Sequence, residues 1–387
     1  MQLKTIKDIN IRHKRILMRA DYNVSIQGKT IADDTRIRHT LPTIKYLLEN
    51  GATVTLMAHL GRPKSPDPKY SLEPVALYLQ QALGTPVSFY RSVSQCRTDT
   101  HSKLKLLENL RFFPGETTND PIFSQELASL GDIYVDDAFG AAHRTHASIV
   151  GVARLLPAVA GLSFVKEVTT ILDAVNHPAR PLVVIVGGAK ISDKIQMLNK
   201  LIETADTIII GGGMANTFLS ASGYSMGQSY YEVSATAVAK RLLAQAKQRH
   251  KTILLPQDVI IGNLSTDQHN GPVPVTQIPS DMQALDIGPR SQVEFGRAIA
   301  SAGTVIWNGP MGVFEKPEFA TGTEFIFHAL TKNTKAFVVV GGGDTLKAIK
   351  KQQHIERIDH VSTGGGAMLE LIENGTLPGI DVLQTLS

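Results

Sequence analysis

Cysteine is nearly absent from this chain: Cys96 is the only one in 387 residues. One thiol makes no internal disulfide and no cysteine metal cage. A reducing cytoplasm is therefore the expected compartment. Long apolar runs are also missing. The longest, Ile149–Val165, is broken by Arg154 and Pro157 and is short for a membrane span. The opening Met1-Gln2-Leu3-Lys4-Thr5 lacks the apolar core and cleavage site of a signal peptide. Net charge is only +4, too little to argue for nucleic acid. No membrane and no nucleic acid is expected as a partner.

What is present is ordinary globular composition: 43% apolar and 19% charged residues, with 32 glycines and 19 prolines. This excludes a disordered, collagen-like or coiled-coil chain. At roughly 150 residues per domain, the length suggests two domains. Charge divides unevenly between them. Residues 1–170 carry 21 Lys+Arg against 16 Asp+Glu, and residues 171–387 carry 18 against 19. A small anion is therefore to be sought in the first part, although a solvated surface gives the same balance.

Short β-branched runs recur along the chain, each followed by a polar or glycine cluster and then a helix-like stretch. In the second half, Leu182–Val186 leads to Gly187-Gly188 and Thr207–Ile210 to Gly211–Gly213. Thr304–Trp307 leads to Asn308-Gly309-Pro310, Ala336–Val340 to Gly341–Gly343, and His360–Ser362 to Thr363–Gly366. In the first half, Arg15–Met18, Thr53–Met57, Lys105–Leu107 and Ile133–Val135 lead instead to segments bearing Arg19, His59, Arg62, Arg111, His143, Arg144 and His146. Runs apolar on both faces suit buried parallel strands, and alternation with helices indicates an α/β sheet covered on both sides. Thr236–Lys251 is one such helix, with Ala237, Leu242, Leu243 and Ala246 available for its apolar face. Ligands of open α/β sheets bind beyond the carboxyl ends of the strands, so two kinds of strand exit imply two sites of different chemistry. The joint is expected in Phe164–Ala174, ahead of the Pro178 and Pro181 breaks.

Glycine turns that open helices suit phosphate, because backbone N–H groups and the helix terminus meet the anion. The dinucleotide fingerprint nevertheless fails. The third glycine is replaced by Asn216, Leu346 and Leu369 after the Gly211, Gly341 and Gly364 clusters. Residues 23–30 imitate a Walker loop but lack its first glycine, and Gln27-Gly28-Lys29 reads as a hairpin turn. Lys190 and Lys194, four apart, would share one helix face, either around an anion or screened by solvent. Asp344 after the Gly341–Gly343 turn suits a metal carried by a nucleotide, and Thr345 a helix cap or a phosphate contact. Arg19, Arg36, Arg38, Arg62, Arg111 and Arg144 suit a phosphorylated acid. Some of them have aspartates available instead, and Arg19 and Arg38 are expected in ion pairs with Asp21, Asp33, Asp34, Asp136 or Asp137. His143 and His146 show no evident zinc pattern.

Taken together, these segments resemble the phosphoglycerate kinase family over essentially the whole chain. The resemblance rests on residues 19–24, His59–Pro63, Leu107–Phe112, Asp136–Gly140, Ala142–Arg144, Gly187–Lys190, Gly211–Phe218, Asp286–Pro289, Trp307–Glu315, Gly341–Thr345 and Ser362–Ala367, in the family's order. Ser25 and Gln257 depart from it, where the family often has proline and a small apolar residue.

The resemblance implies two Rossmann-like, doubly wound parallel-sheet domains joined by a helix and facing across a cleft. They would be a phosphoglycerate domain at 1–170 and a nucleotide domain at 171–372, with a tail at 373–387 packing back on the first. It implies that Asp21, Asn23, Arg36, His59, Arg62, Arg111 and Arg144 hold 3-phosphoglycerate or 1,3-bisphosphoglycerate. Lys194, Gly212, Glu315, Gly342, Gly343, Asp344 and Thr345 would hold ADP or ATP, with Glu315 on the ribose and Asp344 toward Mg2+. Arg36, Lys190, Lys194, Gly364 and Gly365 would act on the transferring phosphoryl group. A cytoplasmic monomer that closes about its hinge is implied. The rival readings are a nicotinamide dehydrogenase, which needs the missing glycines, and a nonenzymatic phosphometabolite-binding protein, which would not need Lys190, Lys194 and Asp344 together.

Overall fold

The computed structural model describes residues 3–28, 30–349 and 352–384. Lys29 of the expected hairpin turn lies outside them; the flanking Ile26–Gln27 and Thr30–Ile31 pair antiparallel. The chain forms two compact units, Met1–Thr169 with Asn374–Ser387, and Thr170–Glu373. Each is a parallel six-stranded sheet with helices on both sides. The helix Leu162–Asn176 carries the chain from the first unit into the second.

In the first unit the sheet runs Ser88–Tyr90, Leu104–Leu107, Thr53–Met57, Arg15–Ala20, Ile133–Asp137 and Ala158–Ala160 in spatial order. The order reverses between Arg15–Ala20 and Ile133–Asp137, which makes their exits the switch point where ligands of such sheets bind. Register decides what meets there. Ala20 lies opposite Asp137, and Arg19 opposite Met57. Three polar segments, starting at Asp21, Ala58 and Ala138, therefore leave the sheet side by side.

The second unit has the spatial order Thr252–Leu254, Thr207–Ile210, Leu182–Val186, Thr304–Asn308, Phe337–Gly341 and His360–Val361. Numbered along the chain within this sheet the order is 3-2-1-4-5-6, that of dinucleotide-binding folds. Val186 lies opposite Asn308, so Gly187 and Gly309 emerge level. Leu182–Val186 and Thr304–Asn308 are buried at every position, as their β-branched, two-faced apolar sequence requires. Trp307 is fully buried among Val183, Ile185, Phe295 and Phe327, and its indole N–H donates to the Gly309 carbonyl at 2.8 Å.

Three features differ from the sequence reading. Asp258–Asn263, Gln268–Pro274 and Gln283–Ile287 form a separate antiparallel sheet. The stretch Gln268–Val273 is mostly exposed and has no apolar alternation to announce a strand. The helix Thr236–Gln248 buries Ala239, Leu242 and Ala246, whereas Ala237 faces solvent. Lys190 and Lys194 do not share a helix face. The helix begins at Ile195, after a 3-10 turn at Ser192–Lys194. Glu232 holds the preceding backbone in its own shape: its Oε2 accepts the N–H groups of Ile191 and Ser192 at 2.6 and 3.0 Å.

Candidate active site

At the first switch point, Asp21 and Arg36 meet. Arg36 opens the helix Thr35–Glu49 and donates from Nη1 to Asp21 Oδ2 at 2.6 Å. The aspartate's other oxygen accepts the Asn23 N–H at 3.2 Å, and Asn23 Oδ1 accepts the Gly61 N–H at 2.9 Å. A Cβ on Gly140 would lie 2.4 Å from Asp21 Oδ2, so glycine there leaves room for the pair. Ion pairing thus falls on Arg36 and Arg38, the latter 3.0 Å from Asp34. Arg19, against expectation, pairs with no aspartate among the described residues: its guanidinium donates to Ser148, to the Ala20 carbonyl and to His59, because Glu116 supplies the counter-charge through Ser148.

His59 and Arg62 sit on the segment after Thr53–Met57, and Arg111 on the segment after Leu104–Leu107. One amide clamps the two together. Asn109 Oδ1 accepts the N–H groups of Leu60 and Arg111, and its Nδ2 donates to the carbonyls of Leu60 and Tyr70. All four hydrogen-bonding positions of the amide are used, which leaves little freedom of orientation.

Positive charge is concentrated here. Burial and the charges of Arg19, Arg111, Arg144 and Arg36 hold His59 well below the usual imidazole range. Burial and Arg144 push Arg111 down, and burial with Arg144 brings His143 to about 4. Guanidinium groups crowded around neutral imidazoles form a site to which an anion adds favourably. Among the described residues no group of three or more His, Cys, Asp or Glu is placed to hold a metal ion.

Two carboxyl groups behave differently. Asp136 and Asp137 end their strand fully buried, and burial raises them to about 6 and about 7. The native state then binds more protons than the unfolded chain above the ordinary carboxylate pKa. This contribution to stability is full in acid and is lost as pH rises through those values. Asp137→Asn is expected to flatten the decline, measured as urea midpoints at about pH 5 and about pH 7.5. The wild-type difference surviving in the variant would contradict the assignment.

In the second unit the exits close on each other by backbone. Gly188 N–H donates to the Pro310 carbonyl at 3.0 Å, and Gly212 N–H to that of Met311 at 2.8 Å. Gly188 and Gly342 adopt φ of 101° and 99°, where side chains are strained. Lys194 is half-buried, with Nζ 2.8 Å from both the Gly187 carbonyl and Asn308 Oδ1. Burial pushes it down to about 8, so it remains mostly a cation at neutral pH. Asn308 Nδ2 is buried without a hydrogen-bond partner, in the space a side chain on Gly342 would enter. Lys190 is exposed.

Thr345 is buried, and its Oγ1 accepts the Gly309 N–H at 2.6 Å. Asp344 is exposed and pairs with Lys347 at 2.9 Å. Gly364 donates its N–H to Ser362 Oγ at 3.2 Å, ahead of the helix Gly366–Asn374. A pocket of about 300 Å³ is lined by Gly188, Gly212, Gly213, Glu315 and Asp344 among others. A larger groove, about 930 Å³, lies between helices Pro289–Ser301 and Thr321–Lys332 and includes none of these residues.

The family model for phosphoglycerate kinase matches residues 6–375. The chain belongs to the phosphoglycerate kinase family. It is 49% identical to the phosphoglycerate kinase of Chloroflexus aggregans, over 99% of both chains, and 48% identical to that of Roseiflexus castenholzii, again over 99% of both. The solved phosphoglycerate kinase of Coxiella burnetii superposes with a TM-score of 0.89 at 38% identity, covering 99% of this chain and 98% of that one. That of Pyrococcus horikoshii OT3 gives 0.82 at 31%, with the same coverage.

Sequence reasoning missed residues that hold the candidate site in shape: Asn109, Glu116, Ser148 and Asn308. Asn109 and Asn308 had a signal: Asn308 ends an apolar strand, and Asn109 follows one after a single residue. Glu116 and Ser148 had none, because 32 residues separate them.

Proposed function

We propose that this kinase moves the acyl phosphate of 1,3-bisphosphoglycerate to MgADP, reversibly, giving 3-phosphoglycerate and MgATP in glycolysis or its reverse. The observation that carries the reading is the cationic crowd around His59. Asp21, Asn23, Arg36, His59, Arg62, Arg111 and Arg144 would bind the three-carbon acid. Lys194, Gly212, Glu315, Gly342, Gly343, Asp344 and Thr345 would bind the nucleotide. The unpartnered Asn308 amide beside Gly342 supports a phosphate there. Neither a nicotinamide dehydrogenase nor a nonenzymatic binder finds support in the relatives.

The acceptor oxygen belongs to a carboxylate, already ionised at neutral pH. No general base is needed in either direction. Phosphoryl transfer then depends on in-line placement and on neutralising charge at the equatorial oxygens. Arg36, Lys190, Lys194 and the amides of the turn at Gly364, Gly365 and Gly366 would supply that charge. Among the described residues no cage for a free metal exists, but Asp344 offers one exposed carboxylate. Magnesium takes one or two carboxylates beside nucleotide phosphates, so this donor set fits a metal that arrives with the nucleotide. When bound, the ion adds positive charge at the phosphates.

A coupled assay with 3-phosphoglycerate and ATP is expected to show turnover only with magnesium present. No turnover with the complete mixture would overturn the proposal. Direct transfer also requires the ligands to meet with water excluded. Compaction about Phe164–Ala174 is expected when both bind, and unchanged small-angle scattering in the ternary complex would count against it. We propose a cytoplasmic monomer, in keeping with a single buried cysteine. Among the described residues no helix is long and apolar enough to cross a membrane.

A further inference from the structure

The first unit buries a row of polar side chains that runs from a carboxylate to His59. Glu116 is wholly buried. Its Oε1 accepts the Ser148 hydroxyl at 2.7 Å and its Oε2 the Ser148 N–H at 3.1 Å. Ser148 Oγ accepts Nε–H of Arg19 at 2.9 Å. Arg19, also wholly buried, brings Nη2 to 3.0 Å from His59 Nδ1. Ser148 is pinned in turn. It lies in the π-helical turn Ala147–Gly151, and the Tyr134 hydroxyl donates to its carbonyl at 2.9 Å.

The chemistry of the groups fixes the direction of each bond. A guanidinium has donors only, so Nη2–H donates and His59 Nδ1 accepts. A neutral imidazole with a bare Nδ1 carries its hydrogen on Nε2. An imidazolium would turn Nδ1–H against Nη2–H, and the crowd of guanidinium charges opposes it as well. Ser148 Oγ accepts from Arg19 because its own hydrogen is committed to Glu116. The ionised Glu116 accepts throughout and balances the buried guanidinium across one hydroxyl.

We propose that Arg19 is a positioning residue: through Nη2–H it locks His59 in the Nε2–H tautomer, a neutral donor for the anionic three-carbon acid, while Glu116 and Ser148 hold Arg19 in place. This rests on the phosphoglycerate reading of the site. It separates two tasks. The charge that attracts the acid comes from Arg36, Arg62, Arg111 and Arg144, whereas His59 contributes direction.

The test uses the full chain labelled with 15N-histidine, with two-bond nitrogen–proton correlations reporting the tautomer and a His59→Gln variant assigning the signal. The wild type is expected to show Nε2–H at neutral pH. In Arg19→Met both tautomers become populated, and KM for 3-phosphoglycerate rises about tenfold or more, the worth of one hydrogen bond to a charged group. KM for ATP stays unchanged. Ser148→Ala, which loosens Arg19 without removing it, shifts both readouts in the same direction by less. If Arg19→Met does not fold, the wild-type tautomer and Ser148→Ala decide the matter. An Nδ1–H form or an imidazolium in the wild type overturns the inference, as does a released tautomer with unchanged KM, or a Ser148→Ala variant identical to wild type. Calorimetry with 3-phosphoglycerate on the wild type separates the two failures. Absent binding sinks the functional reading, whereas normal binding beside an unlocked His59 sinks only the role of Arg19.

Discussion

Arg36→Ala is expected to lower turnover by on the order of 10²-fold or more, as when one donor aimed at developing charge is lost. Arg36 is half-buried, and its partner Asp21 is nearly covered. Removing the guanidinium therefore also leaves Asp21 without its ion pair, and an unpaired buried carboxylate destabilises the fold. The effects separate by measurement. Loss of charge stabilisation lowers kcat at saturating substrates, while loss of the pair lowers the melting temperature. Arg36→Ala/Asp21→Asn is expected to recover most of the melting temperature and little of the turnover. Near-normal kcat in Arg36→Ala would remove this arginine from the phosphoryl-transfer step.

The second large effect is steric. A Cβ at Gly187 would lie 2.0 Å from the Pro310 carbonyl oxygen and 2.6 Å from that of Gly309. Both obstacles are backbone, held by the level register of Leu182–Val186 and Thr304–Asn308. A flexible side chain would swing aside, but two paired strand exits must separate. Gly187→Val is expected to cost about 1–3 kcal/mol or more in stability. It should also displace the Gly187 carbonyl that holds Lys194 Nζ, weakening nucleotide binding at least about tenfold, the effect of one charge-assisted hydrogen bond. Calorimetric titration with ADP checks this. Wild-type affinity in a folded variant would show that the exits tolerate separation.

How far the sequence foretold these details depended on whether a feature was local. Leu182–Val186 and Thr304–Asn308 announced themselves, because a strand buried on both faces must be apolar throughout. The edge strands Ser88–Tyr90, Ala158–Ala160 and Thr252–Leu254 were too short to leave a pattern, and Gln268–Pro274 is too polar. At the sites, the glycine turns were legible because each stands at a strand exit, and Arg62, Arg111 and Arg144 because each follows one within a few residues; Arg36 instead opens the helix Thr35–Glu49. Their partners were not. The choice of Asp21 for Arg36, and of Ser148 for Arg19, is made by side chains that meet only once the sheet has set its register. Lys190 and Lys194 show the same limit: helical spacing was read from sequence distance, but Glu232, some 40 residues away, sets the local backbone.

The solitary indole gives the molecule an optical label that nobody had to install. Trp307 belongs to one unit only, and its N–H rests on the carbonyl of a residue in the glycine exit. Fluorescence during a melt therefore follows that unit alone, whereas circular dichroism sums the whole polypeptide. Any mismatch between the two traces measures how independently the halves come apart.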